Sequence, residues 1–435
     1  MPDASTYNSL GSDAATRECP ECGLFQAVPH LRPGLIADCV RCGALLRRRR
    51  RDSMSTVLAL SLTGVVLFII AALSPFLTLR LLGQEQGTSL ATLPGAFVDQ
   101  GYSTLALGML ATTLLAPLLK LGLTAGVILG LRWGLHPSTL ASMARWRVRL
   151  GPWAMIEVFL LGAFVAYTRL VAIATVEVGI AMYALGALML VMVAADAWLD
   201  EHALWEAIGR LRRTPAPDGN GPAIGCDTCG HVSHAAPGAA CPRCNDKLQT
   251  RKPNSIARSW ALLVAAAAFY IPANLYPVLT LIRFGQGHPS TIMGGVVELI
   301  EYRMWPLALL VFVASVMVPV LKLAGLALLL TTTQRRATKC LLDRTRLYRI
   351  VDVVGRWSMI DIFMLAVLVG LVRMGLVSSV YPGLGAVCFG ACVVLTMLAA
   401  FSFDPRLMWD AAGQRACDEA ESDSRAEPDS RAVPA

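Results

Sequence analysis

The chain has 435 residues, 55% hydrophobic and only 16% charged, with a mean hydropathy of +0.56 and a formal net charge of +8. That balance excludes a soluble globular protein, because several windows exceed the ~18 consecutive apolar residues that cross a bilayer. It also argues against a nucleic-acid partner: the arginines cluster beside apolar segments, where they set membrane topology.

In chain order, residues 1–17 are small and polar and are expected to be disordered, with no apolar leader core in the first 50 residues. Residues 18–46 carry "CPECG" and "CVRCG", a C-x2-C-x16-C-x2-C set. A first block of four transmembrane helices follows over 52–205, near 56–79, 102–132, 153–175 and 180–199. Residues 206–223 read as a flexible linker. A second cysteine module, C-x2-C-x11-C-x2-C, lies within 224–250. Four more helices over 255–410 are predicted near 259–281, 304–333, 357–376 and 379–401, and 411–435 is a disordered tail. The fold class is therefore all-α polytopic: two tandem repeats of four transmembrane helices, each preceded by a small four-cysteine zinc-ribbon module.

The duplication is legible in matched segments. "SPFLTLRLLGQ" (74–84) parallels "YPVLTLIRFGQ" (276–286), and "APLLKLGL" (116–123) parallels "VPVLKLAG" (318–325). "PWAMIEVFLL" (152–161) parallels "RWSMIDIFML" (356–365), and "LDEHALWEAIG" (199–209) parallels "FDPRLMWDAAG" (403–413). Four spans per half give both halves the same orientation. The basic segments include Arg47–Arg51, Arg145, Arg147, Arg149 and the loop after the sixth helix, whereas 80–101 and 282–303 carry few basic residues. An even span number puts all basic segments on one side, so both termini are expected to be cytoplasmic.

Cys19, Cys22, Cys39 and Cys42 form one set, and Cys226, Cys229, Cys241 and Cys244 the other. Paired knuckles of this kind place four thiolates around one Zn²⁺ at about 2.3 Å, leaving no open position for catalysis. Two structural Zn²⁺ sites are expected. Glycine follows three of the four knuckles (Gly23, Gly43, Gly230); Asn245 stands at the fourth.

Lys120 and Lys322 occupy matched places inside apolar helices, and the next helix of each half supplies Glu157 or Asp361. Counting from Arg132, Lys120 lies about 18 Å inside its helix, too deep for easy snorkelling. Pairs Lys120–Glu157 and Lys322–Asp361 are expected, either as fixed ion pairs or as a site that changes charge during transport. Pro117 and Pro319, three residues earlier, are candidate hinges. Arg169 and Arg373 fall late in the third and seventh helices, near the far headgroups, as interfacial anchors or lipid-headgroup contacts.

The paired knuckles, "SPFLTL", the two lysine segments, "WSMIDIFML" and "FDPRLMWD" together resemble the paraquat-inducible protein A family over 18–413. The resemblance implies a cell inner-membrane component of intermembrane lipid transport, handing lipids to or from a periplasmic MCE-domain partner, rather than an enzyme. Two other readings remain: a membrane scaffold that only holds such an assembly, and an oxidoreductase using the CxxC cysteines. There is no Walker A segment, so ATP is not the energy source within this chain.

Overall fold

The computed structural model describes residues 15–29, 31–50, 53–81, 84–171, 175–212, 221–283, 286–301, 303–372 and 378–413. Arg373, most of the expected N-terminal and C-terminal disorder and residues 213–220 of the linker lie outside that set. Among the described residues, eight helices are long and apolar enough to cross a membrane: Met54–Leu73, Ser103–Arg132, Pro137–Val171, Ile180–Trp198, Ser255–Leu275, Trp305–Gln334, Leu341–Leu371 and Leu384–Ser402. In hydrocarbon every backbone N–H and C=O must find a partner within the protein, which is why these runs are helical.

Three expectations change. The first and fifth helices stop at Leu73 and Leu275, not near 79 and 281. Pro75 and Pro277 follow within two residues, and the alternating "FLTLRL" and "VLTLIR" continue as strands. Each half builds a three-stranded antiparallel sheet at this end. Pro75–Leu81 lies between Gln84–Ser89 and Thr175–Val178; Leu279–Arg283 lies between Gln286–Ser290 and Ser378–Pro382. The segments expected as loops at 80–101 and 282–303 thus carry a hairpin and a short helix, Leu93–Val98 or Ile292–Glu301.

Second, the basic stretch after the second span is helical. Pro137–Leu150 is capped by His136, breaks over Gly151–Trp153 and resumes as Ile156–Val171. Leu341–Trp357 and Ile360–Leu371 repeat this in the other half. Third, the stretch expected as linker from 206 begins inside a helix, Glu201–Leu211, capped by Asp200.

The third and seventh spans form the centre. Phe159 and Phe363, repeat mates 204 positions apart, stack edge-on with ring centroids 5.7 Å apart. A pseudo-twofold axis therefore passes between them. Gly162 faces Phe363 directly, and Trp153 stacks on Phe401 across the halves at 6.5 Å. At the sheet end, Thr88 donates to the Gly370 carbonyl at 3.1 Å, so the first half's hairpin leans on the seventh span.

The opposite end is also crossed. The first cysteine module packs with Leu326, Leu330, Phe403 and Trp409 of the second half. The second module packs with Ile128, Leu140, Trp205 and Ile208 of the first half. Arg349 of the seventh span's basic helix holds Glu21 at 2.8 Å and donates to the Cys42 carbonyl at 2.9 Å. Arg145 donates to the Asn245 carbonyl at 3.1 Å, and Arg149 lies 3.4 Å from Asp246. Arginines counted as topology signals thus also dock the modules.

The modules meet at a buried charged cluster. Glu18 accepts from the Gly225 amide at 2.9 Å and from Arg251 and Arg406 at 3.1 and 3.3 Å. Arg406 also contacts Asp404 and Asp227, each at 3.0 Å. Burial pushes the Glu18 carboxyl up, and Arg406 is the largest influence holding it down. A side chain at Gly225 would place its Cβ 2.6 Å from Glu18 Oε2. Gly225→Val is therefore expected to destabilise the protein by about 2–3 kcal/mol through overpacking beside a buried charge. A thermal scan in detergent checks this; an unchanged midpoint would mean the modules are not joined at this contact.

Candidate functional sites: the cysteine clusters and the intramembrane polar groups

Both cysteine modules repeat one local geometry. The amide four residues after the first cysteine of each knuckle returns to that cysteine's carbonyl: Gly23 to Cys19 at 3.0 Å, Gly43 to Cys39 at 2.9 Å, Gly230 to Cys226 at 2.9 Å and Asn245 to Cys241 at 2.8 Å. All four closing residues take positive φ, between 64° and 70°. Asparagine tolerates that left-handed conformation better than most residues, so the knuckle lacking glycine keeps the turn. The cysteines are buried, and the four sulfurs of each set lie within 4.8 Å of one another.

The sulfur pairs Cys19–Cys42 and Cys226–Cys244 are 3.5 Å apart, and Cys22–Cys39 and Cys229–Cys241 are 3.6 Å apart. A tetrahedral ion with bonds of about 2.3 Å has edges of about 3.8 Å, so the donor sets fit a metal with little adjustment. The amides of Glu21 and Cys22 point at the Cys19 sulfur, and that of Leu24 at Cys22. Such donors neutralise part of the charge a thiolate cluster carries.

The polar groups within the spans are not arranged as the sequence suggests. Lys120 does not pair with Glu157. It donates to Asp196 at 2.5 Å, beside Ser61 and Thr124. Asp196 lies two residues before the fourth span ends at Trp198. The 30-residue second span runs well past that level, so the distance from Arg132 overstated the depth of Lys120. The pair is open on one side, with Asp196 half exposed.

Lys322 does not pair with Asp361 either. It is 2% exposed, and its ammonium donates to Thr396 Oγ1 at 2.9 Å and to the Gly355 carbonyl at 3.4 Å. Ala400 stands where the first half has Asp196. Among the described residues Lys322 has no ion pair within contact distance.

Asp361 instead borders a cavity of about 40 Å³ within the second half, together with Ser315 and with Arg169, which reaches in from the first half. Ser315 hydrogen-bonds its carboxylate, while Asp361 Oδ2 and Arg169 Nε are buried without a partner. Arg169 thus reaches into the protein interior. Glu157 lines a different space, an open apolar groove of about 580 Å³.

Pro117 and Pro319 each follow a π turn, Leu110–Leu115 and Val313–Met317. Proline removes the amide that would complete the preceding turn, and the widened turn absorbs the defect. Thr112 and Thr113 donate to the Gly108 and Met109 carbonyls at 2.9 and 2.7 Å. In the second half the π turn carries Ser315 toward Asp361. Sequence reading missed Asp196, Thr396 and the Ser315–Asp361 contact. Only Asp196 had a local signal, as the one acid inside the fourth span.

Eight apolar spans in two like-oriented halves, with two buried four-cysteine clusters at one end, define a multi-pass membrane protein built by duplication. The chain belongs to the paraquat-inducible protein A family: the family's profile, described as Paraquat-inducible protein A, matches residues 54–209 and again 256–413. Intermembrane transport protein PqiA of Escherichia coli strain K12 is 32% identical over 397 residues, covering 90% of this chain and 95% of that protein. Lipophilic envelope-spanning tunnel protein A of the same strain is 28% identical over 395 residues, covering 91% of each. A probable intermembrane transport protein of Haemophilus influenzae is 27% identical over 401 residues, covering 90% of this chain and 95% of that protein. No solved structure matches the chain.

The two lysines should respond differently to substitution. Lys120→Met removes an open ion pair and is expected to cost under about 1 kcal/mol. Thr396→Val leaves the buried Lys322 ammonium with only the 3.4 Å Gly355 carbonyl, and is expected to cost about 1–3 kcal/mol. Unfolding in detergent measures both, and equal losses would contradict the assigned partners.

Proposed function

We propose that this protein is an inner-membrane component of an intermembrane lipid transport system, passing lipids or other hydrophobic molecules to or from a periplasmic MCE-domain partner. The names of the relatives, two of which specify intermembrane transport and one an envelope-spanning tunnel, support the transport reading. The distribution of lysine and arginine supports cytoplasmic termini and a periplasmic sheet end, which would face the partner.

The observation that carries the mechanism is the second-half cavity into which Arg169 of the first half reaches. Two opposite charges, Asp361 and Arg169, border one small space, and each keeps a buried atom without a partner. Ionisable groups held inside a membrane mark substrate or proton pathways. The space exceeds the ~15 Å³ that one water needs, so water can enter it. Asp361 takes up and releases a proton as the two halves shift, and the π turns ahead of Pro117 and Pro319 serve as hinges. Arg169 holds the carboxylate's counter-charge, and Ser315 orients it.

The cysteine clusters take Zn²⁺ in a structural role. Each site has four sulfur donors and no open position, and each module is too small to fold on a core of its own. The bound ion supplies folding energy to a module clasped on the opposite half.

Two measurements test these assignments. Elemental analysis is expected to give two zinc ions per chain; a redox-active disulfide in place of zinc would favour an oxidoreductase. Lipid transfer from proteoliposomes to an MCE-domain acceptor, under an imposed proton gradient, is expected to fall at least about tenfold in Asp361→Asn. Undiminished transfer by that variant would remove the proton role, and absence of transfer by the wild type with an intact complex would leave only a scaffold.

A further inference from the structure

We infer that the groove beside Glu157 is a lateral binding site for one phospholipid of the adjoining leaflet whose headgroup carries a primary ammonium, and that Glu157 receives that ammonium. Granting the transport reading, this is where such a lipid leaves the bilayer; the binding itself does not require transport.

The groove runs between the third and fourth spans. Leu160, Phe164 and Tyr167 form one wall, and Met182 and Met189 the other, within a space of about 580 Å³. Glu157 and Trp357 close the end nearer the cysteine modules, and Val178 lies at the sheet end. From Glu157 to Tyr167 is ten residues, about 15 Å along a helix, so an acyl chain entering at the Glu157 end can run along much of the third span toward the sheet. Methionine walls adapt to a flexible chain.

The duplication shows that the opening is specific to this half. The repeat mates of the lining residues, Met364, Leu368, Leu371, Ala386 and Val393, are all buried. Phe164 is 57% exposed, whereas its mate Leu368 is 7% exposed. In the second half, the first half's Leu105 packs on Gly390, whose repeat mate Gly186 has nothing within 4 Å of the position a Cβ would take. Among the described residues, the first half's crevice has no such cover. At this depth between two spans, the bilayer's own acyl chains are the apolar material available to fill it.

Charge selects the headgroup. Glu157 lies in the first turn after the break at Gly151–Trp153, and among the described residues it has no ion-pair partner. A carboxylate at the headgroup end attracts a cationic amine and repels a lipid whose only charge is a phosphate. Its mate Asp361 is buried at the small second-half cavity beside Arg169 and cannot do the same.

Nanodiscs holding the purified full chain, with equal phosphatidylethanolamine and phosphatidylglycerol, provide the test. Lipid retained after detergent extraction is counted by native mass spectrometry. Wild type is expected to retain the ethanolamine lipid at least about fivefold over the glycerol lipid. Glu157→Gln should erase the preference while keeping the lipid count, and Leu161→Trp should lower the count. An unaltered preference in Glu157→Gln overturns the headgroup assignment. An unaltered count in Leu161→Trp, or a change of oligomeric mass instead, overturns the groove as a lipid site. Thermal midpoints matching wild type establish that the variants fold. Selective retention without transfer to an acceptor would sink the transport reading and leave this site standing.

Discussion

The contact on which the rest depends is the close approach of the third and seventh spans. Lipid tails are as apolar as leucine, so helices associate in a membrane through packing rather than through escape from water. Gly162 permits that packing: a Cβ there would lie 2.9 Å from Phe363 Cβ and 3.0 Å from the Ile360 carbonyl. Because Phe159 and Phe363 are repeat mates and touch each other, the pseudo-twofold axis is set at this point. Both sheets then fall at one end and both modules at the other. The crossing contacts at each end follow from the same geometry.

A duplication places equal chemistry twice, and the differences between the halves locate what has specialised. The second half keeps a lysine that no carboxylate among the described residues contacts, enclosed beside Thr396, and an aspartate facing a small cavity. An enclosed ammonium is costly in hydrocarbon, and protein alone shields it. The first half turns the same lysine toward Asp196 at the edge of a span, where the pair contributes little stability. It also leaves open the crevice that the second half fills. Polar chemistry and lateral access have thus been divided between two copies of one unit.

The number of spans, the duplication, the cysteine sets and the likeness to the family were legible because each rests on local pattern or matched segments. The strands after Leu73 and Leu275 were not, since "FLTLRL" is as apolar as the helix before it and only Pro75 marks the change. The partners of Lys120 and Lys322 were not legible because the nearest acid along the chain is not the nearest in space. The second span overshoots the fourth, which moves Lys120 from mid-helix to the level of Asp196. Crossed module docking left no trace in chain order: each module precedes one half and packs on the other.

That crossed docking needs a rule telling each module where to sit, and the buried charges provide one. The first module presents Arg17 and Glu18 where the second presents Ile224 and Gly225. Arg406, in the terminal helix of the second half, meets Glu18 and Asp227. Its repeat mate His202 meets Arg17, which donates to Nδ1 at 2.8 Å, while Nε2 lies 2.8 Å from the Leu46 carbonyl. Burial, and next the charge of Arg17, push His202 down to about 4, so a neutral ring faces that arginine. Exchanging the modules would set Arg17 against Arg406 and leave Glu18 facing a neutral histidine. A buried ionic network contributes little net stability compared with apolar packing of the same volume, but a mismatched one is heavily destabilising. Specification of docking is therefore the role that best accounts for this cluster, with zinc holding each module rigid enough for the match to be read.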